Sequence, residues 1–248
     1  MPQSIPTQTK PDAAALDAAF EALKTYDQGS SRGALMPIDE AVMASLDDKA
    51  AQKELEQRLA TALQHGGSAV AREYICSKLA VIGSEVCVPA LAAQLNAPQF
   101  ANAARNALEA IPGAQATKAL RDNLAKTEGA QKVGVINSLG ARRDADSVRA
   151  LTALLKHDDA GVAGAAAAAL GDIATTNAAK ALREYQPKAP EALRLKVADA
   201  ILTCAERLLA AGKRADAQTL YQLLATTSQP NHIQHAAARG LEVASGRK

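Results

Sequence analysis

The chain has 248 residues, and its hydrophobic content of 48% supports a continuous buried core and excludes disorder of the whole chain. Its 28 Lys and Arg residues nearly balance 26 Asp and Glu residues, so the net charge of +2 excludes a strong global attraction to nucleic acid or anionic membranes. Aromatic residues make up only 2% and Trp is absent, while alanine is abundant, a mixture that favours closely packed helices.

The N-terminal quarter of the chain shows no regular repeat. Residues 1–11 are predicted to be disordered, and residues 12–67 are predicted to form a helical cap. Within this part the sequence predicts helices over 11–27 and 38–65, with the Gly- and Ser-rich stretch "DQGSSRGALMP" as a loop between them.

No targeting or membrane segment is evident in the sequence as given. The first residues lack the basic start and apolar run of a secretory signal, and no stretch of about 18 strongly apolar residues occurs. The chain is therefore expected to be soluble and cytoplasmic on its own, and extracytoplasmic if it was excised from a longer secreted protein.

Two landmarks recur with a common period through residues 68–187, which we predict to be regular repeats. One is a tripeptide ending in Ala-Leu, whose copies begin 29, 31 and 31 residues apart: Pro89-Ala90-Leu91, Lys118-Ala119-Leu120, Arg149-Ala150-Leu151 and Lys180-Ala181-Leu182. The other is an apolar pair followed closely by a glycine that is expected to end a helix in the left-handed conformation: Gly83, Gly113, Gly140 and Gly171. Such a period is typical of stacked helical hairpins.

The landmarks place two helices in each repeat. First helices are predicted over 69–82, 99–111, 130–140 and 160–174, and second helices over 85–96, 114–126, 145–156 and 177–186. The alanine run in "DDAGVAGAAAAALGDIATTNAAKAL" is then a tightly packed interior helix, not low-complexity filler or a membrane segment. Residues 188–248 are predicted to continue as C-terminal helical repeats or a cap, with helices over 190–211, 214–225 and 231–244.

The predicted fold class is all-α, a right-handed α-solenoid of stacked antiparallel helical hairpins. Its core is predicted from the apolar residues that recur at helical spacing: Leu79, Ile82, Leu91, Leu108, Ile111, Leu120, Leu139, Leu151, Leu155, Leu170 and Leu182.

Three stretches resemble HEAT and HEAT-like or ARM-like repeats: "DDAGVAGAAAAALGDIATTNAAKAL", "VAREYICSKLAVIGSEVCVPALAAQL" and "NALEAIPGAQATKALRDNL". The resemblance lies in the unit length, in the Ala-Leu-x-x-Ile/Leu-Gly close of the first helix and in the Val-Pro-Ala-Leu opening of the second. It covers about residues 68–186, and it departs from the common pattern because no Arg follows Val162. The overall sequence pattern is also similar to that of HEAT modules in large bacterial multidomain proteins, some of which are extracytoplasmic and some of which are joined to sugar-acting domains.

The histidines do not form a recognisable metal site. HEAT-like hydroxylases hold two irons with His-Glu dipeptides, whereas the four histidines here, His65, His157, His232 and His235, are followed by Gly, Asp, Ile and Ala. His232 and His235 share the face of a predicted helix, but with only Glu242 further along it they are predicted to be solvated surface residues.

The cysteines also point away from catalysis. Cys76, Cys87 and Cys204 lack the spacing of a disulfide framework or a CxxC metal site, and they are predicted to be small buried hydrophobic side chains. No glycine-rich phosphate loop or nucleophile elbow occurs. The sequence therefore predicts no catalytic residue, no metal, no cofactor and no enzyme activity.

The candidate binding residues are basic and sit at matching positions of the second helices: Lys118, Arg121, Arg149, Lys180 and Arg183, which we call the basic stripe. Equivalent positions of stacked repeats line up, so the basic stripe could hold an acidic peptide, a polyanionic glycan or a phosphate backbone on the concave face. The alternative is that these cations are solvated and partnered by Asp122, Asp146 and Glu184 on the same surface.

These features predict a non-catalytic scaffold that binds a protein or peptide through the concave face of its second helices. An acidic protein or peptide is one candidate partner. Two alternatives stay open: an accessory domain of a larger bacterial, carbohydrate-acting, extracytoplasmic enzyme, and a bilin-lyase-like protein with a deep ligand pocket. Sequence-specific nucleic-acid binding and membrane insertion are not expected, because few aromatic residues are available for base stacking and no long apolar run occurs. The oligomeric state is left open.

Overall fold

The computed structural model describes residues 11–97, 99–226 and 229–246, and these residues form fourteen α-helices and three 3-10 helices without any strand. The all-α fold predicted from the repeat pattern is therefore confirmed. The predicted disorder of residues 1–11 falls, except for Pro11, outside the described residues. The chain divides into two compact units, an N-terminal unit (Met1–Asn123) and a C-terminal unit (Leu124–Lys248).

Helices of the N-terminal unit pack in pairs that repeat along the chain. The helices are α1 (Ala13–Lys24), α2 (Met36–Ala44), α3 (Lys49–Gln64), α4 (Ala69–Ile82), α5 (Val88–Gln94), α6 (Ala101–Ala110) and α7 (Ala114–Leu124). Helix α4 packs against α2 and α6, and α3 packs against α4 and α5. Helix α1 packs on α2 and on a 3-10 helix, Arg32–Leu35, that precedes α2.

The C-terminal unit repeats the same two-layer packing. Its helices are α8 (Gly129–Ala141), α9 (Val148–Leu154), α10 (Ala160–Ile173), α11 (Thr176–Tyr185), α12 (Glu191–Ala210), α13 (Arg214–Thr226) and α14 (Asn231–Ala244). The first helices form one layer in which α10 packs against α8 and α12, and the second helices form another in which α11 packs against α9 and α13. Helix α14 covers α13 and α12.

The predicted core is confirmed in both units. All eleven apolar residues that the repeat pattern assigns to the interior are at most 3% exposed: Leu79, Ile82, Leu91, Leu108, Ile111, Leu120, Leu139, Leu151, Leu155, Leu170 and Leu182. The alanine run lies inside α10, where Ala166 and Ala167 are fully buried. Small side chains at these positions let neighbouring helices approach closely, as the sequence predicted.

The single helix predicted over 38–65 is wrong, because the structure has two helices there. The hydroxyl of Ser45 donates to the carbonyl of Val42 (2.8 Å) at the end of α2. The carboxylate of Asp48 then accepts from the N–H groups of Ala50 and Ala51 (3.0 and 3.1 Å), which caps the start of α3. These side-chain hydrogen bonds satisfy backbone groups that are left free where α2 ends and α3 begins. The helix is therefore interrupted at a place that contains neither Gly nor Pro.

The loop predicted for "DQGSSRGALMP" is also more ordered than expected. The hydroxyl of Ser31 accepts from the N–H of Gly33 (3.3 Å) and begins the 3-10 helix Arg32–Leu35, which leads directly into α2. Pro37 falls in the first turn of α2, where its missing N–H leaves no helical hydrogen bond unmade.

Of the four glycines predicted to end helices in the left-handed conformation, Gly113 is left-handed, with a φ of 101°, but it directly precedes α7, and α6 ends at Ile111 in an extended conformation. The prediction is wrong for Gly83, whose φ is −67°, and for Gly140 and Gly171, which lie inside α8 and α10. In the C-terminal unit the left-handed positions after α8 and α10 are taken by Arg143 and Ala174, with φ of 53° and 49°.

Gly140 and Gly171 are instead points of close helix approach. A Cβ atom on Gly171 would lie 2.6 Å from the carbonyl oxygen of Ala200 in α12, and a Cβ on Gly140 would lie 2.9 Å from the Cα of Ala169 in α10. Both contacts are with backbone atoms, and they recur in successive first helices. Glycine at these positions therefore lets α8, α10 and α12 pack with their backbones in contact.

Two carboxylates, one buried and one exposed, tie successive repeats of the N-terminal unit together. Glu56 of α3 is 2% exposed and accepts hydrogen bonds from the N–H of Ser84 (2.7 Å) and the N–H of Cys87 (3.1 Å), just before α5. One repeat later, Glu85 accepts from the N–H of Gln115 (3.2 Å) at the start of α7. Each carboxylate satisfies N–H groups near a helix start in the following repeat, groups that a helix cannot satisfy itself.

Candidate functional site

Three of the five residues of the basic stripe lie on packed second helices of the C-terminal unit. Arg149 is on α9, and Lys180 and Arg183 are on α11, which packs against α9; all three side chains are exposed. The Nζ of Lys180 lies 3.9 Å from a carboxylate oxygen of Glu184. Within the described part of the chain, no ion pair is found for Arg149 or Arg183.

The other two residues of the basic stripe lie on α7 of the N-terminal unit. Lys118 is exposed, and its Nζ is 2.5 Å from a carboxylate oxygen of Asp122, one turn along the helix. Arg121 is half-buried. The alternative for the basic stripe, pairing of its cations with neighbouring acids, is observed at Lys118 with Asp122 and at Lys180 with Glu184. One continuous surface through all five cations stays a prediction.

The electrostatic character of the α9 and α11 surface is weakly positive. Arg149, Lys180 and Arg183 outnumber the nearby exposed acids Asp146 and Glu184. An exposed ion pair such as Lys180 with Glu184 contributes about 0–1 kcal/mol of stabilising free energy, so Lys180 can still bind an anionic ligand. This surface can attract an anionic partner at low ionic strength, and salt should screen the attraction.

A cleft of about 740 Å³ in the N-terminal unit was not predicted from the sequence. It lies between α1 and α3, its floor includes the buried apolar side chains of Phe20, Leu23 and Ile75, and its rim is polar, with Lys24, Glu54, Gln57, Arg58, Thr61 and His65. No local sequence signal marks it, because its two walls come from helices that a loop and α2 separate.

Arg58 spans the gap between α1 and α3. Its guanidinium carbon lies 4.1 Å from the centre of the Phe20 ring, and its Nη2 donates to a carboxylate oxygen of Asp17 (2.7 Å). On its other side is a second, smaller cleft of about 340 Å³ between α1, α2 and α3, which Arg58 and Glu54 also line. The side chain of Arg58 thus divides a larger space beside α1.

A closed ionic cluster joins α2 to α4. Asp39 receives the Nζ of Lys78 (2.7 Å), the hydroxyl of Tyr74 (2.9 Å) and the Nη2 of Arg32 (2.9 Å). Burial would raise the pKa of Asp39, but hydrogen bonds from Lys78, Arg32 and Tyr74 outweigh burial and hold that pKa below its ordinary value. Since its partners occupy both carboxylate oxygens, the cluster is best explained as a structural tie between helices.

The three cysteines are buried and free of disulfides, which confirms their prediction as small interior side chains. Burial raises the pKa of Cys76 and of Cys204 to about 12 each. Burial and the neighbouring Glu56 also raise the pKa of Cys87. At neutral pH these groups are thiols rather than thiolates, so they are poor nucleophiles.

The histidines and the other metal-binding residue types are dispersed in the described part of the chain. Residues 11–97, 99–226 and 229–246 contain no group of three or more His, Cys, Asp or Glu side chains placed to hold a metal ion. His232 and His235 are both exposed on α14. None of the helices in the described ranges combines the length and the apolar composition needed to cross a bilayer.

Comparison with known proteins places part of the chain in a repeat family. Residues 128–202 match the family model of HEAT repeats. They run from the residue before α8 into α12 and include the alanine run of α10. No curated protein matches the chain.

Several solved structures are similar over most of their length. An engineered protein is 22% identical, with 85% of this chain and 97% of that chain covered and a TM-score of 0.43. The complex of CpcE and CpcF of phycocyanin lyase from Nostoc sp. is 19% identical, with 99% of each chain covered and a TM-score of 0.45. Human deoxyhypusine hydroxylase in complex with glycerol is 15% identical, with 94% and 96% covered and a TM-score of 0.36. From the helical architecture and the match of the family model, the chain is a helical-repeat protein whose residues 128–202 match the model of HEAT repeats.

Proposed function

We propose that the chain is a non-catalytic scaffold that binds an acidic peptide segment of a partner protein through the second helices α9 and α11. The observation that carries this proposal is the exposure of Arg149, Lys180 and Arg183 on two helices that pack against each other. The protonated state of the buried thiols and the lack of a metal-binding group among the described residues support a binding role over a catalytic one.

The spacing of the helices suits an extended peptide. Packed helices lie about 8–10 Å apart, and an extended chain rises about 3.3 Å per residue. Side chains two residues apart share one face of an extended peptide, about 7 Å apart, so two acidic side chains at that spacing could reach the long side chains of Arg149 on α9 and Lys180 on α11 together. Each exposed contact contributes at most about 1 kcal/mol, so the affinity depends on several contacts acting at once.

Charge reversal tests the proposal. The variant Arg149→Glu with Lys180→Glu is compared with Arg194→Glu and Lys196→Glu, two exposed residues of α12 in the first-helix layer of the same unit. Both variants change the net charge equally. Binding of a labelled oligoglutamate peptide is measured by fluorescence anisotropy over a series of salt concentrations.

The first variant should weaken binding by about tenfold or more and flatten its salt dependence, whereas the α12 variant should change affinity by less than about twofold. Equal losses in the two variants would show that only net charge matters. No peptide binding at low salt would overturn the proposal.

A further inference from the structure

We propose that the cleft between α1 and α3 is a binding site for an amphipathic organic anion, a small molecule with an apolar body and a single carboxylate or sulfonate head. The site lies in the N-terminal unit and shares no residue with the proposed peptide surface on α9 and α11. It can therefore be tested, and can fail, separately from the proposed function.

The cleft exists because α1 stands away from α3. Elsewhere in this unit, second helices are in contact, as α3 is with α5. Helix α1 instead packs mainly on α2 and on the 3-10 helix Arg32–Leu35, and the side chain of Arg58 reaches it from α3 across a partly open gap. The resulting space of about 740 Å³ falls within the range of small-molecule sites, about 300–1,000 Å³.

The floor of the cleft suits an apolar body. Phe20 and Leu23 come from α1 and Ile75 from α4, and all three side chains are at most 9% exposed. Water against such a floor finds few hydrogen-bond partners, so its replacement by an apolar group is favourable. A flat ring or an alkyl chain would add contacts that the missing α1–α3 packing leaves unmade.

Arg58 supplies the anchor for the head group. Its guanidinium lies over the Phe20 ring, which holds the side chain at the rim of the cleft. A guanidinium has five N–H donors, and the described bond to Asp17 uses one of its terminal nitrogens, Nη2. Asp17 is 69% exposed, so water already solvates it and a ligand carboxylate can join or replace it on Arg58.

The other polar groups of the rim are less suited to this task. The Nζ of Lys24 is held by the carboxylate of Glu21 at 2.6 Å, on the solvent side of α1. The Nδ1 of His65 is bonded to the carbonyl oxygen of Thr61 (2.7 Å). Lys24 and Arg58 are each paired with an exposed acid, but Arg58 is the less exposed of the two and also contacts the Phe20 ring of the floor, so its charge should dominate recognition and its pairing with Asp17 competes with the ligand.

This competition gives a test of whether Arg58 binds the anion or only holds α1 in place. If Arg58 anchors the anion, Arg58→Gln should weaken binding by about fivefold, and Asp17→Asn should tighten it by about twofold because it frees the guanidinium. If the pair only holds α1 in place, both variants should weaken binding. The two cases thus predict opposite signs for Asp17→Asn.

The probe is anilinonaphthalene sulfonate, titrated against the full chain and followed by its fluorescence. Wild-type protein should show saturable binding at one probe per chain. Ala62→Trp, which places a large side chain in the cleft, should weaken this binding by about tenfold or more. The control variant Arg194→Gln, which removes the same charge from the exposed surface of α12, should leave the affinity unchanged.

Each variant is first checked for wild-type helical circular dichroism and thermal midpoint, because partly unfolded protein also binds this probe. A second measurement on the wild-type chain needs no variant: the amide NMR signals of Gly66 and Gly67, at the rim, should shift on titration while that of Gly212 stays fixed. The proposal would be overturned by non-saturable binding of the probe or by an unchanged affinity in Ala62→Trp. It would also be overturned by weaker binding to Asp17→Asn or by unshifted amide signals of Gly66 and Gly67.

Discussion

Replacing Gly171 by alanine should destabilise the C-terminal unit, although the same change in a helix usually stabilises a protein. A Cβ atom at position 171 would lie 2.6 Å from the carbonyl oxygen and 3.1 Å from the Cα of Ala200. Both are backbone atoms of α12, so no side-chain rotation can relieve the contact. Helices α10 and α12 would have to separate.

The expected magnitude follows from two opposing effects. Alanine favours a helix over glycine by about 1 kcal/mol. Overpacking of a well-packed interface costs about 1–3 kcal/mol, and here the carbonyl of Ala200 must retreat by several tenths of an ångström to reach ordinary contact. The close contact with backbone atoms puts the cost toward the upper end of this range, so we expect Gly171→Ala to lower the free energy of unfolding by up to about 2 kcal/mol.

Gly164 provides a matched control on the same helix. A Cβ there would meet the Cδ of Lys196 at 3.0 Å and its Nζ at 3.5 Å, atoms at the far end of a flexible, exposed side chain. Lys196 can swing into solvent at little cost. Gly164→Ala should therefore be neutral or raise the free energy of unfolding by up to about 1 kcal/mol.

Urea unfolding followed by far-ultraviolet circular dichroism measures both variants against the wild type. Opposite signs for the two substitutions are the expected result. If Gly171→Ala is as stable as Gly164→Ala, the backbone contact between α10 and α12 does not limit their separation, and the close-approach argument is refuted.

Two further substitutions test backbone strain and the ionic cluster. Ala174→Gly should raise the free energy of unfolding by about 0.5–1 kcal/mol, because Ala174 ends α10 at a φ of 49°, a conformation that glycine adopts without strain; a loss in urea unfolding would contradict this. Asp39→Asn should lower stability at neutral pH by about 1–3 kcal/mol, because it leaves Arg32 and Lys78 without their carboxylate. Since the folded-state pKa of Asp39 is lowered from 3.8, its contribution is present above about pH 4 and is lost as the pH falls through the folded-state pKa. The difference between wild type and variant should narrow in acid, and a constant difference would count against the linkage.

Local signals in the sequence were sufficient for the regular helices and their core. The predicted helix over 69–82 coincides with α4, and that over 160–174 exceeds α10 by one residue. Ser68 and Asp159 cap these helices through their side chains, which are short-range interactions encoded beside each helix. The core followed because apolar residues at helical spacing must share a buried face.

Features that depend on distant residues were missed or assigned the wrong role. Gly171 looks like a helix end in the sequence, and its contact with Ala200 is visible only once α10 and α12 are packed. The cleft depends on where α1 rests, which the loop before α2 determines. Arg58 and Phe20 lie on different helices, and nothing in either segment indicates that they meet.

The carboxylates of Glu56 and Glu85 have a consequence for how the N-terminal unit unfolds. If α3 detached, the partly buried N–H of Ser84 and the buried N–H of Cys87 would lose their acceptor, and a buried group left unsatisfied costs about 1–3 kcal/mol. The bond from the N–H of Gln115 to Glu85 lies at an exposed position, so its loss costs less, because water can replace the carboxylate as acceptor. Neighbouring repeats are thereby coupled in free energy, so a helical pair cannot fray without weakening the next. Native-state hydrogen exchange should then detect one shared opening reaction for α3 and α5 instead of independent openings of the two helices.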